Sequence, residues 1–87
     1  MDVREREEYD GPLGRIRGSK WIPLGELPSR TAELARDRPV VAVCRSGTRS
    51  AQATVMLSKA GFGDVANLAG GMLRWRAEGL AVEGARD

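Results

Sequence analysis

The sequence predicts an α/β domain whose sheet is mainly parallel and flanked by helices. Three observations carry that prediction. Val40-Val41-Ala42-Val43 is a continuous apolar run, bounded by Pro39 and by a polar, glycine-containing loop. Runs of this kind read as parallel strands buried on both faces. Ala53, Met56, Leu57 and Ala60 then recur at i, i+3, i+4 and i+7, the apolar stripe of a helix. A second short strand, Val65-Ala66-Asn67-Leu68, leads into another helical stretch. Strands and helices in alternation are the pattern of a parallel sheet with helical crossovers.

Taken in order, Asp2 to Tyr9 reads as the tail of a strand running into a helical turn. Asp10-Gly11-Pro12-Leu13-Gly14 is a connection, marked by its breakers. Ser19-Lys20-Trp21-Ile22-Pro23 reads as a short strand closed by proline. Leu27, Thr31 and Leu34 at i, i+4 and i+7 predict a short amphipathic helix ending before Asp37-Arg38-Pro39. After the strand at 40–43 comes the loop Cys44-Arg45-Ser46-Gly47-Thr48-Arg49, then a helix starting near Arg49 or Ser50. Gly61 stands where a C′ glycine would end that helix. Gly70-Gly71 opens the last helix, with Met72 and Trp75 on one side and Gly79 at its end.

Composition bounds the function. With 87 residues the chain is one domain, residues 1–87. It contains one cysteine and no histidine. A Cys-His or Ser-His nucleophile pair is therefore excluded, as are zinc sites built from histidine and several cysteines. No internal disulfide can form, and no metal or cofactor is expected. The N-terminal stretch lacks an apolar signal region, and no apolar run approaches a membrane span, so a cytoplasmic protein is expected. The net charge is +2, but basic and acidic residues interleave, as in Arg4-Glu5-Arg6-Glu7. That is a solvated mixed-charge face rather than a nucleic-acid surface.

Cys44 is the candidate nucleophile. Ligands of open α/β sheets bind at the carboxyl ends of the strands, and Cys44 stands at such an end. Arg45 and Arg49 flank it, and Gly47 allows a tight turn with amides facing inward as an anion nest. The helix N-terminus behind adds further donors. Each feature favours thiolate over thiol. Trp21 and Trp75 read as packing residues, Gly70-Gly71 as a turn, and Asp2, Arg4 and Glu8 as an ion-pair network of structural role.

The segment Cys44-Arg45-Ser46-Gly47-Thr48-Arg49-Ser50 resembles the active-site loop of the rhodanese family of sulfurtransferases. Other pieces resemble the family in the same order: Asp2-Val3-Arg4, Glu8-Tyr9, Gly14-Arg15-Ile16-Arg17-Gly18-Ser19 with Ile22-Pro23, and Ala60-Gly61-Phe62 through Val65, Asn67-Leu68, Gly70-Gly71 and Trp75. The resemblance implies a rhodanese-like fold and a Cys44 persulfide formed from an anionic donor such as thiosulfate. The sulfur then passes to a thiol, a protein acceptor or cyanide. It further implies that the amides from Arg45 to Ser50 cradle the outer sulfur. Arg45 and Arg49 would attract the donor, and Ser46, Thr48 and Ser50 would offer hydroxyls.

There are two departures from the family pattern. Arg15 stands where the family has histidine, at a position read as structural. Family members usually carry a strand, a helix and most of a second strand before Asp-Val-Arg, whereas this sequence starts at Met1-Asp2-Val3. The expectation is a truncated form of a longer domain, a homodimer that exchanges strands, or a reduced sheet closed by front-end residues. A non-catalytic binding or sensor module is the alternative function. A phosphatase or arsenate reductase is a weaker one, because its loop pattern is Cys-x5-Arg and the spacing from Cys44 to Arg49 is one residue shorter.

Overall fold

The computed structural model describes residues 1–85. Two strands, β1 (Val40–Ala42) and β2 (Val65–Asn67), pair in parallel with Ala42 opposite Asn67. Helix α3 (Thr48–Lys59) makes the crossover between them, the connection a parallel pair requires. Parallel pairing continues on the other side of β1. Val3 N donates to Val43 O (3.0 Å) and Val43 N to Met1 O (2.8 Å). Beyond that, Asp2 N donates to Lys20 O (2.7 Å) and Ile22 N to Asp2 O (2.9 Å). The ladder thus runs through segments 20–22, 1–3, β1 and β2, with Met1 to Val3 closing the edge of β1. The expected strand at Ser19–Pro23 is reduced to a single bridge, Trp21 to Asp2.

The core lies between the sheet and α3. Val3, Ile22, Leu27, Val40, Ala42, Cys44, Ala53, Leu57 and Phe62 form one buried cluster. Ala53 and Leu57 are the fully buried members of the α3 stripe, with Met56 and Ala60 packed at its margin. The helix ends at Lys59, with Gly61 past its cap as the sequence predicts.

Two expectations are corrected. The strand at 40–43 departs from the expected burial at one residue: Val40, Ala42 and Val43 are buried, whereas Val41 is 50% exposed. An unbroken apolar run does not reveal whether a second layer covers the sheet. The helix expected over Leu27–Leu34 is broken into a 3₁₀ turn (Leu24–Glu26), a single α-turn α2 (Leu27–Arg30) and a second 3₁₀ turn (Thr31–Glu33), after which Leu34 is extended. Leu27 is the fully buried member of that stripe, with Leu34 packed at the margin of the core, and local helix shorter than about three turns is marginal by itself.

The N-terminal segment is pinned by Arg4, which is fully buried with Asp2. Its Nε and Nη2 reach the Asp2 carboxylate at 2.8–3.2 Å. Nη1 donates to Glu8 O (3.0 Å) and Nη2 to Gly14 O (2.8 Å). One guanidinium thereby joins the sheet edge, helix α1 (Arg6–Tyr9) and the following turn. Trp21 stacks on Tyr9 and donates to Arg4 O, and Trp75 donates to Ala81 O, so both act in packing. Arg15 holds a backbone bridge to Glu83 and lies over the Tyr9 ring, a structural position as expected. Helix α4 (Gly71–Ala77) follows β2.

Candidate active site

The loop between β1 and α3 wraps around the Cys44 sulfur. Gly47 makes the turn with φ +109° and caps α3. A Cβ there would lie 3.2 Å from Gly70 N, a tight contact, and the left-handed backbone angle favours glycine. The underside of the loop rests on α4: Met72 N donates to Cys44 O (2.9 Å) and Leu73 N to Arg45 O (3.0 Å). A Cβ on Gly71 would stand 2.4 Å from Cys44 O, so the close seat of α4 under the loop depends on the missing side chain. With these carbonyls tied to α4, amides of the same loop are free to face the sulfur.

Cys44 is fully buried. Its Sγ accepts from Gly47 N at 3.0 Å and from Ser50 Oγ at 3.3 Å. Burial pushes the thiol pKa up, but the Ser50 hydroxyl and the amides of Ser50, Gly47 and Ser46 outweigh it. The net effect holds the pKa below that of an ordinary cysteine. A hydrogen-bonded anion stabilised by its donors is the expected cause of such a shift.

The arginines contribute differently from the sequence expectation. Arg49 Nη1 and Nη2 donate to Glu8 Oε1 (2.6 Å) and Oε2 (2.7 Å). Its guanidinium is therefore held by a carboxylate, and only a Coulombic attraction to Cys44 remains. Arg45, Ser46 and Thr48 have exposed side chains, while Ser50 is fully buried against the sulfur. The structure thus brings Cys44, Gly47, Ser50 and the Ser46 amide together, and leaves the Arg45 and Thr48 side chains at the surface.

The expected Asp2-Arg4-Glu8 network is split. Asp2 pairs with Arg4, but the Glu8 carboxylate turns to Arg49 because Arg4 takes only the Glu8 carbonyl. A residue that sequence reasoning missed is Asn67, at the end of β2. Its Nδ2 donates to Gly47 O (3.1 Å), and its Oδ1 accepts from Ser50 Oγ (2.5 Å). A polar residue at the carboxyl end of a strand beside the loop was the available signal.

A description of the Rhodanese-like domain as a family matches residues 1–78. The chain is 42% identical over 82 residues to a sulfurtransferase of Allochromatium vinosum, covering 94% of this chain and 75% of that protein. It is 35% identical over 77 residues to the thiosulfate sulfurtransferase GlpE of Pseudomonas paraeruginosa, covering 88% of this chain and 68% of that one. The crystal structure of a rhodanese-related protein from Thermoplasma volcanium is similar with a TM-score of 0.89 at 36% identity, covering 97% of this chain and 81% of that chain.

Proposed function

The chain belongs to the rhodanese-like domain family and has its fold, and on that premise we propose that it is a sulfurtransferase working through a Cys44 persulfide. The observation that carries the proposal is the buried Sγ, faced by the Ser46, Gly47 and Ser50 amides and the Ser50 hydroxyl. The Cys44 thiolate attacks the sulfane sulfur of an anionic donor such as thiosulfate. The donor's S–S bond breaks and sulfite leaves with its electron pair, so Cys44 holds a persulfide anion. An acceptor thiolate or cyanide then attacks the outer sulfur. The Cys44–sulfur bond breaks, giving the acceptor persulfide or thiocyanate and regenerating the thiolate.

The loop amides suit the negative outer sulfur, since such donors stabilise charge wherever it resides. In this reading the exposed Arg45 would draw in a doubly charged donor from solution. Small anionic donors, thiol or protein acceptors and a cytoplasmic setting belong to this reading. Among the described residues no helix is long and apolar enough to cross a membrane.

Intact mass spectrometry after incubation with thiosulfate tests the proposal. One added sulfur atom, confined to Cys44 and removed by cyanide as thiocyanate, is the expected result. A chain that takes no sulfur while Cys44 still reacts with an alkylating agent would overturn it in favour of a binding module.

A further inference from the structure

Ser50 has one hydroxyl proton and two acceptors. Its Oγ lies 3.3 Å from Cys44 Sγ and 2.5 Å from Asn67 Oδ1. The Asn67 amide has little choice of orientation, because Gly47 O, 3.1 Å from Nδ2, can only accept. The carbonyl oxygen of Asn67 therefore faces Ser50. Ser50 is fully buried, so no bulk water relieves the competition.

We propose that Asn67 is a positioning residue for the sulfur chemistry, holding the Ser50 proton away from Cys44 while the sulfur is neutral and yielding it when the sulfur becomes an anion. In the neutral state Ser50 donates to Asn67 Oδ1, and the Cys44 S–H donates to the Ser50 oxygen. When Cys44 loses its proton to solvent, the Ser50 hydroxyl rotates to the negative sulfur, where the hydrogen bond is charge-assisted and stronger. Asn67 Oδ1 then gives up its donor. Asn67 thus opposes the thiolate to a limited degree while its other end steadies the Gly47 turn.

That opposition has a chemical use. A thiolate stabilised too far is a poorer nucleophile, and attack is best when the thiol pKa lies near the ambient pH. Sulfur transfer needs both attack and departure at the same atom. A hydroxyl that follows the charge serves both steps without an additional base.

The inference rests on Cys44 being the nucleophile, but it is read by titrating the thiol, with no sulfur transfer required. The rate of iodoacetamide alkylation against pH gives the thiol pKa in each variant. Asn67→Leu removes the competing acceptor, so the pKa is expected to fall by about half a unit to one unit, one neutral hydrogen bond's worth. In a Ser50→Ala background the same substitution should give no fall, because there is no hydroxyl to redirect. If Asn67 only anchors Gly47, Asn67→Leu loosens the amide cradle, and the pKa rises or stays. Either of those results overturns the inference, as does a fall that persists without Ser50.

Should the leucine variant not fold, Asn67→Asp keeps the shape and strengthens the acceptor. It should raise the pKa more with Ser50 present than in Ser50→Ala, and an equal rise in both backgrounds overturns the inference.

Discussion

Glu8 grips Arg49 through two parallel hydrogen bonds of 2.6 and 2.7 Å. The pair connects α1 to the first turn of α3, and it commits a loop cation that would otherwise face an incoming anion. The Arg49 contact holds the Glu8 carboxyl below its usual pKa. Both side chains are roughly one-third exposed, so the pair contributes at most about 1 kcal/mol to stability.

Glu8→Gln should therefore change function more than fold. Releasing Arg49 is expected to raise kcat/KM for thiosulfate several-fold at low ionic strength, with the gain shrinking as salt is added. Steady-state rates at two salt concentrations check this, and an unchanged or reduced kcat/KM would show that Arg49 serves better when held. The acid behaviour has a defined sign. The folded-state pKa lies below the reference value of 4.5, so the stabilisation is present above pH 4.5 and is lost as pH falls through the lower folded value. Glu8→Gln should lack that part of the acid-induced loss in a urea melt.

Ser50→Ala should raise the Cys44 pKa. The hydroxyl is foremost among the groups that lower it, and its hydrogen bond to the thiolate is charge-assisted. The wild-type pKa is held low, so alkylation and turnover should rise with pH through a midpoint below that of a free cysteine. In Ser50→Ala that midpoint moves up, and the rate at a pH below it drops several-fold. A pH profile that superposes on the wild type would mean that the amides alone hold the thiolate.

Arg4→Ala should be the most damaging change at the front of the sheet. It leaves the fully buried Asp2 carboxylate without its partner and frees the Glu8 and Gly14 carbonyls that Arg4 holds. Breaking one side of a buried pair costs about 3–5 kcal/mol, a large part of the total for a small domain. Loss of a cooperative thermal transition, or a fall of that size in urea, is expected. A cost under about 1 kcal/mol would show that water reaches Asp2 when the guanidinium is gone.

The sequence displays the parts of this molecule that depend on neighbouring residues. The α3 stripe, the glycine after it and the crowding of cysteine, glycine and hydroxyls at 44–50 are all local patterns. The parallel order followed from the β1–α3–β2 alternation. What it did not display depends on distance. Glu8 meets Arg49 across 41 positions, and no local pattern distinguishes that partner from Arg4. Asn67 reads as an ordinary strand residue until the register puts it opposite Ala42, two positions before Cys44. Val41 looks like Val40 in sequence, and only the layer on each face of the sheet separates them.

Gly71→Ala tests whether the loop depends on the helix beneath it. The residue has φ +55°, and a Cβ would sit 2.4 Å from Cys44 O and 2.6 Å from Arg45 O. Those are backbone atoms of the same loop, so no flexible side chain can give way. Either α4 withdraws or the loop lifts, and both break the Met72 and Leu73 amide contacts that hold the carbonyls down. The amides around the sulfur would then lose their aim. Lower thermal stability together with a Cys44 pKa drifting up toward that of a free cysteine is the expected pair of results. Gly63→Ala is the control, since nothing lies within 4 Å of its Cβ position, and it should change stability by no more than about 0.5 kcal/mol. A Gly71→Ala protein with a wild-type thiol pKa would show that the loop holds its shape without α4, through Gly47 and the start of α3 alone.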